Sequence, residues 1–399
     1  CVSAEIFFTR GIDQLITDYQ ITNARFKALA AKTAEAFMAY RAYLENDLRQ
    51  HTNQNYACGE DAFKLMMRSG HFIEIDLDDY VRYAEEQIFT AENYLNLHAA
   101  DFGAADRNEA LAKLADIHPD VNGYLHRFAE VWQACREVAV NKQLVTWPDF
   151  PIEFVAQPLW AREAAPHLYF LPYRSPAPFN RPSVHYCLVP PITADLPVEK
   201  QEQMLRAMND SVIKSNYVVH HGSIGHHVQN WNASHCASRI GQIAATDCAS
   251  RLAMFCAGTM AEGWAVYTGD LMTEAGFMTP LEEYAEVQSR RRMSARAVVD
   301  IKLHLGEFTL QQAAAYYQTH GGMNADFAHR EAIKNSMFPG AAMMYLFGSD
   351  RIKQCRKEAA SLLGTAFNLR QFHDQFLSYG SVPVELICKD MIRNLTNAQ

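Results

Sequence analysis

The stretch His220-His221-Gly222-Ser223-Ile224-Gly225-His226-His227 gathers four of the chain's sixteen histidines into eight residues. Imidazole is the commonest side-chain metal ligand, and its second ring nitrogen lets a ligand be oriented while it binds. No two of these histidines have the i, i+4 spacing that puts two ligands on one face of a regular helix. His220 and His226 are six residues apart. Gly222 and Gly225 permit a bulge or break that absorbs the two extra residues. The expectation is helical chain on either side of a glycine break, with His220 and His226 brought together.

Two blocks downstream complete a constellation. Glu262, in Ala261-Glu262-Gly263-Trp264-Ala265-Val266-Tyr267, lies 35 residues after His227. Arg296, Asp300 and His304 are each four apart and share one helix face. A hydrolytic zinc site needs two histidines, a carboxylate and one open position. His220, His226 and Glu262 supply that set, with His221 or His227 as a fourth donor. In the motif His-Glu-x-x-His the glutamate deprotonates the water. Position 221 holds a histidine instead, so His221 is either the base or an extra ligand.

His304 reads as a site-wall donor oriented by Asp300; a buried ion network explains that pair equally well. Tyr345 follows the Pro339-Gly340 break and is a candidate oxyanion donor, although helix-packing tyrosines are common. Arg296 and Tyr267 are the candidate substrate contacts. Phe372-His373-Asp374 reads as structural. Ser223 lacks the Gly-x-Ser-x-Gly pattern of a serine nucleophile. Cys236, Cys248 and Cys256 read as buried apolar residues.

The chain around these blocks is ordinary in bulk. It has 399 residues, 49% hydrophobic and 20% charged, which suits a large globular core. A net charge of -9 argues against a nucleic-acid partner. No apolar run is long enough to span a bilayer. Nine cysteines at irregular spacing suggest free thiols in a reducing, cytoplasmic setting, while Cys1 also suits an exported lipoprotein. Oligomeric state is not legible.

Residues 1–145 carry helical periodicity, as in Phe26-Leu29-Ala30-Thr33-Phe37 and Leu111-Leu114-Ile117. Gly59–Met67 reads as a helix after a turn, and Asp76–Tyr80 as a helix start. Eleven of the fifteen prolines fall between Pro148 and Pro197, among them Pro166, Pro172 and Pro178. With interleaved aromatics, Tyr169 and Phe170 included, residues 146–200 read as an extended segment with a small sheet, edging the cleft or simply packed. Residues 201–399 return to helix and carry the metal site. The three regions read as one integrated, mainly α unit.

These blocks resemble the bacterial domain-of-unknown-function family 885, which is similar to zinc oligopeptidases and carboxypeptidases with a glutamate ligand. The family pattern runs His-Glu-x-x-Pro-Gly-His-His-Leu-Gln, Glu-Gly-Trp-Ala-Leu-Tyr, Arg-x-Val-Val-Asp-x-Gly-Leu-His, Pro-Gly-Gln-Ala-x-x-Tyr and Phe-His-Asp. Here it is matched by His220–Gln229, Glu262–Tyr267, Arg296–His304, Pro339–Gly348 and Phe372–Asp374. The departures are His221 for Glu, Ile224 for Pro, Lys302 for Gly and Ala341 for Gln. The resemblance implies a gluzincin-like helical fold with a central cleft and one divalent metal, zinc first. It also implies hydrolysis of an amide in a small molecule or short peptide. His221 keeps two alternatives open. One is a non-hydrolytic iron, manganese or copper enzyme with His221 as ligand. The other is a silent relative that binds a ligand in the old cleft.

Overall fold

A computed structural model describes residues 1–399 apart from 54, 163, 165–172, 174, 175, 178, 245–252 and 398–399. Pro166, Pro172, Pro178, Tyr169, Phe170 and Cys248 therefore lie outside the described residues. The described chain is mainly helical, with one two-stranded sheet. It divides into two compact units. One comprises Cys1–Asn55, Glu153–Arg174 and Tyr186–Thr193; the other comprises Tyr56–Ile152, Ser175–His185 and Ala194–Gln399.

In the smaller unit, helix α1 (Ala24–Asn46) starts at Asn23, whose side chain accepts the Arg25 N–H. Its buried positions are Ala30 and Ala34, while Leu29 is exposed. The inward stripe is therefore narrower than the apolar spacing suggests. Phe37 instead stacks on Phe8, with ring centroids 6.0 Å apart. The proline-rich region supplies the expected small sheet: β1 (Ile152–Ala156) pairs with β2 (His185–Val189).

The larger unit carries the rest. Gly59, at φ 84°, turns the chain into the helix Glu60–Met66. Helix α2 (Leu77–His98) begins where Asp76 caps the Asp79 N–H at 2.9 Å. The Leu111–Ile117 run is not one helix. It is α-helical only to Ala112, tightens to a 3₁₀ turn over Lys113–Asp116, and leaves Ile117 exposed. Helix α3 (Tyr124–Asn141) precedes the π-helical segment Ile213–Gly222, and α4 (His226–His235) and α5 (Gly258–Glu274) follow it.

Helix α6 (Pro280–His304) has the clearest local signal. Thr279 and Glu282 form a reciprocal capping box, and Pro280 occupies the first turn, where its missing N–H costs nothing. Helices α7 (Leu310–Gly321), α8 (Ala325–Ser336), α9 (Met344–Leu363), α10 (Leu369–Ser378) and α11 (Val384–Asn397) complete the unit. Val298, Val299 and Leu303 of α6 share one core with Ala84 and Ile88 of α2 and Tyr317 of α7. Burying each large aliphatic side chain there is worth about 1.5–3 kcal/mol. Among the described residues no helix is long and apolar enough to cross a membrane.

Helices α5 and α9 meet at two glycines. A Cβ on Gly263 would lie 2.5 Å from the Gly348 backbone, and a Cβ on Gly348 would lie 2.0 Å from the Thr259 carbonyl oxygen. Only glycine permits that approach, and it places Glu262 one residue from this close helix crossing.

A candidate metal centre

The π-helical segment explains how histidines at unsuitable spacing converge. Its wide turn carries His220 and His221 to its last residues, and the chain then breaks at Ser223 and Gly225 before α4 starts at His226. The Gly225 N–H donates to the Val219 carbonyl at 2.9 Å. A Cβ on Gly225 would sit 2.0 Å from the His220 carbonyl oxygen, so the reversal requires glycine there. Two indoles hold the reversal from outside. Trp132 donates to the Gly222 carbonyl at 2.8 Å, and Trp264 donates to the Ile224 carbonyl at 2.9 Å. Ser223 is buried, donates to the Val218 carbonyl at 2.9 Å and meets Cys135 at 3.1 Å, which is a structural role.

His220, His221 and His226 can each offer one nitrogen such that all three lie within 4.8 Å of one another. Glu262 completes the cluster from α5. Its Oε2 is 3.3 Å from His220 Nε2 and 3.4 Å from His226 Nε2. These separations exceed the 2.7–2.9 Å of a charge-assisted hydrogen bond, and Oε2 is buried without a hydrogen-bond partner. They match the edge of a tetrahedron, about 3.4 Å, around an ion bound at about 2.1 Å. The donor chemistry and the orphaned oxygen therefore fit a divalent metal.

Burial favours the neutral imidazoles that ligation needs. Burial holds the His220 and His221 imidazoles below their usual value, His221 well below. Burial would raise Glu262, but His226 and His220 outweigh it and hold the carboxyl well below the usual carboxylate range. Metal ligation needs neutral imidazoles and an ionised carboxylate. The His221 Nδ1 lies 2.7 Å from the Asn216 carbonyl. Nδ1–H therefore donates there, and Nε2 keeps its lone pair for the cluster. His227 points elsewhere. Its Nε2 donates to the Phe150 carbonyl at 2.7 Å, its ring stacks on Phe150 at 4.7 Å, and burial lowers it to about 4. The third imidazole of the cluster is His221 rather than His227.

Arg296 faces the centre from α6. It pairs with Glu331 at 2.8 Å and lies over the Tyr345 ring at 5.0 Å, within electrostatic range of Glu262 and His220. Asp300 and His304 do not form the expected hydrogen-bonded pair. Asp300 is spent on three backbone donors, accepting from Gly340 at 2.9 Å, Ala342 at 2.8 Å and Met343 at 2.9 Å. His304 Nε2 donates to the Asn335 carbonyl at 2.9 Å and lies 3.8 Å from Asp300. Both side chains are fully buried and tie the loop before α9 and the end of α8 to α6. Tyr267 is also fully buried. Its hydroxyl donates to His373 Nε2 at 2.8 Å, and His373 Nδ1–H donates to the Leu144 carbonyl at 2.6 Å. Asp374 accepts from the Thr146 N–H at 2.7 Å, so the Phe-His-Asp block staples a loop.

Sequence reading missed two contributors. Trp132 shows only as a lone aromatic on a helix. Glu331 lies a helix away from its partner Arg296. Of the cysteines singled out near the site, Cys236 is buried and Cys256 half-buried, and every described cysteine is a free thiol.

Known structures share the architecture. A protein from Shewanella oneidensis, described as a candidate lipoprotein of unknown function, superposes with a TM-score of 0.73 at 20% identity, covering 96% of this chain and 70% of that one. A candidate lipoprotein from Colwellia psychrerythraea gives 0.72 at 19% identity, covering 95% of this chain and 64% of that one. The chain thus spans about two thirds of the length of these neighbours, and at such identity the likeness concerns the fold. No curated protein matches. A family model described as a bacterial protein of unknown function matches residues 4–391, nearly the whole chain, and the chain belongs to that family, DUF885.

Proposed function

We propose that this protein is a metal-dependent enzyme with a gluzincin-like centre in a cleft of the larger unit, hydrolysing an amide bond in a small molecule or short peptide. The observation that carries the reading is Glu262 Oε2, buried without a hydrogen bond at metal-ligand spacing from His220 and His226. A divalent ion held by His220, His226 and Glu262, zinc first, would polarise an amide carbonyl and lower the pKa of a water. Arg296 would stabilise negative charge developing near the carbonyl oxygen. Two neighbours described as candidate lipoproteins favour an exported setting over a cytoplasmic one.

A second reading draws on one contact. The His221 Nδ1–Asn216 bond aims Nε2 at the cluster, which favours a three-histidine, one-carboxylate set. Such a set suits iron, manganese or copper as well as zinc, and non-hydrolytic chemistry.

Elemental mass spectrometry of protein purified without added metal tests both readings, on wild type, Glu262→Gln and His221→Glu. The expected result is about one divalent ion per chain in wild type, depleted in Glu262→Gln, with amide hydrolysis rising in His221→Glu. Iron, manganese or copper in wild type, shifting toward zinc in His221→Glu, selects the second reading. No metal in wild type sinks both and leaves a binding protein.

A further inference from the structure

Helix α4 carries a polar side chain that the metal cluster does not use. Asn230 is 8% exposed, and its amide has no hydrogen-bond partner among the described residues. Buried polar groups are almost always paired, and Asn230 lines a cavity of about 170 Å³. The cavity lies wholly within the larger unit, against α4, the loop at Asp149 and Phe150, and the segment 176–183. Phe150, Trp231, Pro176 and Pro182 give it apolar walls. Its charged lining groups, Asp149 and Arg181, are exposed, and Arg181 donates to the Ser234 carbonyl at 2.5 Å. Apolar walls with a few convergent polar groups are the make-up of a small-molecule site. A cavity of about 150 Å³ takes one benzene ring, so this one is sized for a single aromatic ring.

Both aromatic walls are held in place. Phe150 stacks on His227 with centroids 4.7 Å apart, and its carbonyl accepts from His227 Nε2 at 2.7 Å. Trp231 stacks on His235 at 4.3 Å. Rings fixed in advance lose little freedom on binding, and aromatic pairs add to the apolar contact. Asn230 offers one acceptor and two donors, the complement of a peptide group's N–H and C=O. His226 and Asn230 are four apart on α4, so they share a face, about 6 Å apart along the axis. An extended peptide covers that span in about two residues.

We propose that this cavity is a recognition pocket for an aromatic ring carried beside a peptide-like amide. Phe150 and Trp231 pack on the ring, and Asn230 hydrogen-bonds the amide. The bond presented to the His220–His226–Glu262 cluster then lies within about two residues of an aromatic side chain. That substrate assignment rests on the metal-centre reading; the binding of the ring does not.

The test is a ligand-observed NMR titration of two uncharged probes, N-acetyl-phenylalanyl-alaninamide and N-acetyl-dialaninamide. The proteins are wild type, Trp231→Ala, Asn230→Leu and Glu262→Gln. Metal content is measured on each, and circular dichroism follows folding and the thermal midpoint. Wild type should bind the ring-bearing probe about tenfold to a hundredfold more tightly than its partner. Trp231→Ala should bring the ratio near one. Asn230→Leu should weaken both probes about threefold to tenfold while the thermal midpoint holds or rises, because it removes a buried amide that no chain group satisfies. A fallen midpoint with unchanged binding would make Asn230 structural and overturn its part. Equal binding of the two probes, a ring preference that survives Trp231→Ala, or binding of neither probe overturns the pocket. If only the metal reading fails, no metal is found while the ring preference persists in wild type and Glu262→Gln. If only the pocket fails, metal is present while the probes bind alike. With metal present and the preference intact, the ring-bearing probe should also be hydrolysed faster; equal hydrolysis overturns the substrate assignment.

Discussion

Trp264 donates its indole N–H to the Ile224 carbonyl at 2.9 Å, and this bond joins two sequence blocks 40 residues apart. Glu262 and Trp264 both lie on α5, so the residue that supplies a carboxylate to the cluster and the residue that pins the glycine break share one rigid element. Among the described residues no backbone N–H donates to the Ile224 carbonyl in place of the indole. Trp264→Phe keeps most of the ring and removes the donor. It should cost about 1–3 kcal/mol by leaving a buried carbonyl unsatisfied. It should also weaken metal binding, since His226 follows the pinned turn closely. Urea unfolding and a metal-competition titration read the two effects separately. Unchanged metal affinity would separate the turn from the site.

Gly225 should tolerate no side chain. A Cβ there would overlap the His220 carbonyl oxygen at 2.0 Å and the Val219 carbonyl oxygen at 2.6 Å, and both atoms are backbone. Gly225→Ala should therefore destabilise by at least about 2 kcal/mol and displace His220 from His226. Metal stoichiometry and thermal unfolding check it. Gly276→Ala is the control, because its Cβ would meet nothing within 4 Å, although its φ of 76° adds some strain.

Asp300 holds the loop at Gly340–Met343 through three N–H donors. Asparagine would point an N–H₂ group at one set of those donors and leave them buried and unpaired. Asp300→Asn should lose about 1–3 kcal/mol of stability. If Asp300 acted on substrate instead, the variant would keep its unfolding midpoint and lose activity alone.

Acid should destabilise the fold through buried neutral imidazoles. His71 and His373 are held at about 4 by burial, against 6.5 when unfolded. Below pH 6.5 the unfolded chain takes up protons that the folded chain refuses. The stability is complete above that value and drains away as pH falls toward 4. Each group contributes a slope of about 1.4 kcal/mol per pH unit inside that window. Urea unfolding above pH 6.5 and near pH 5 measures the slope, and His373→Gln should reduce it by about one proton's worth. A flat profile would contradict the buried, neutral assignment.

The sequence alone determined the mainly helical class, because apolar spacing and capping signals are local; Asp76, Thr279 and Gly59 each act within a turn of their own position. It also determined the family, since ordered blocks survive in one dimension. It nominated His220, His226 and Glu262, because crowded histidines and a spaced carboxylate remain visible without coordinates. The tertiary structure decided which way each side chain faces. His221 and His227 look alike in sequence, yet the π-helical turn and the Asn216 carbonyl turn the first toward the cluster, while Phe150 captures the second. Asp300, His304 and Tyr267 read as site residues until their partners appear, and those partners lie 31 to 106 residues away. Direction and pairing depend on contacts between distant segments, and only the folded chain brings those segments together.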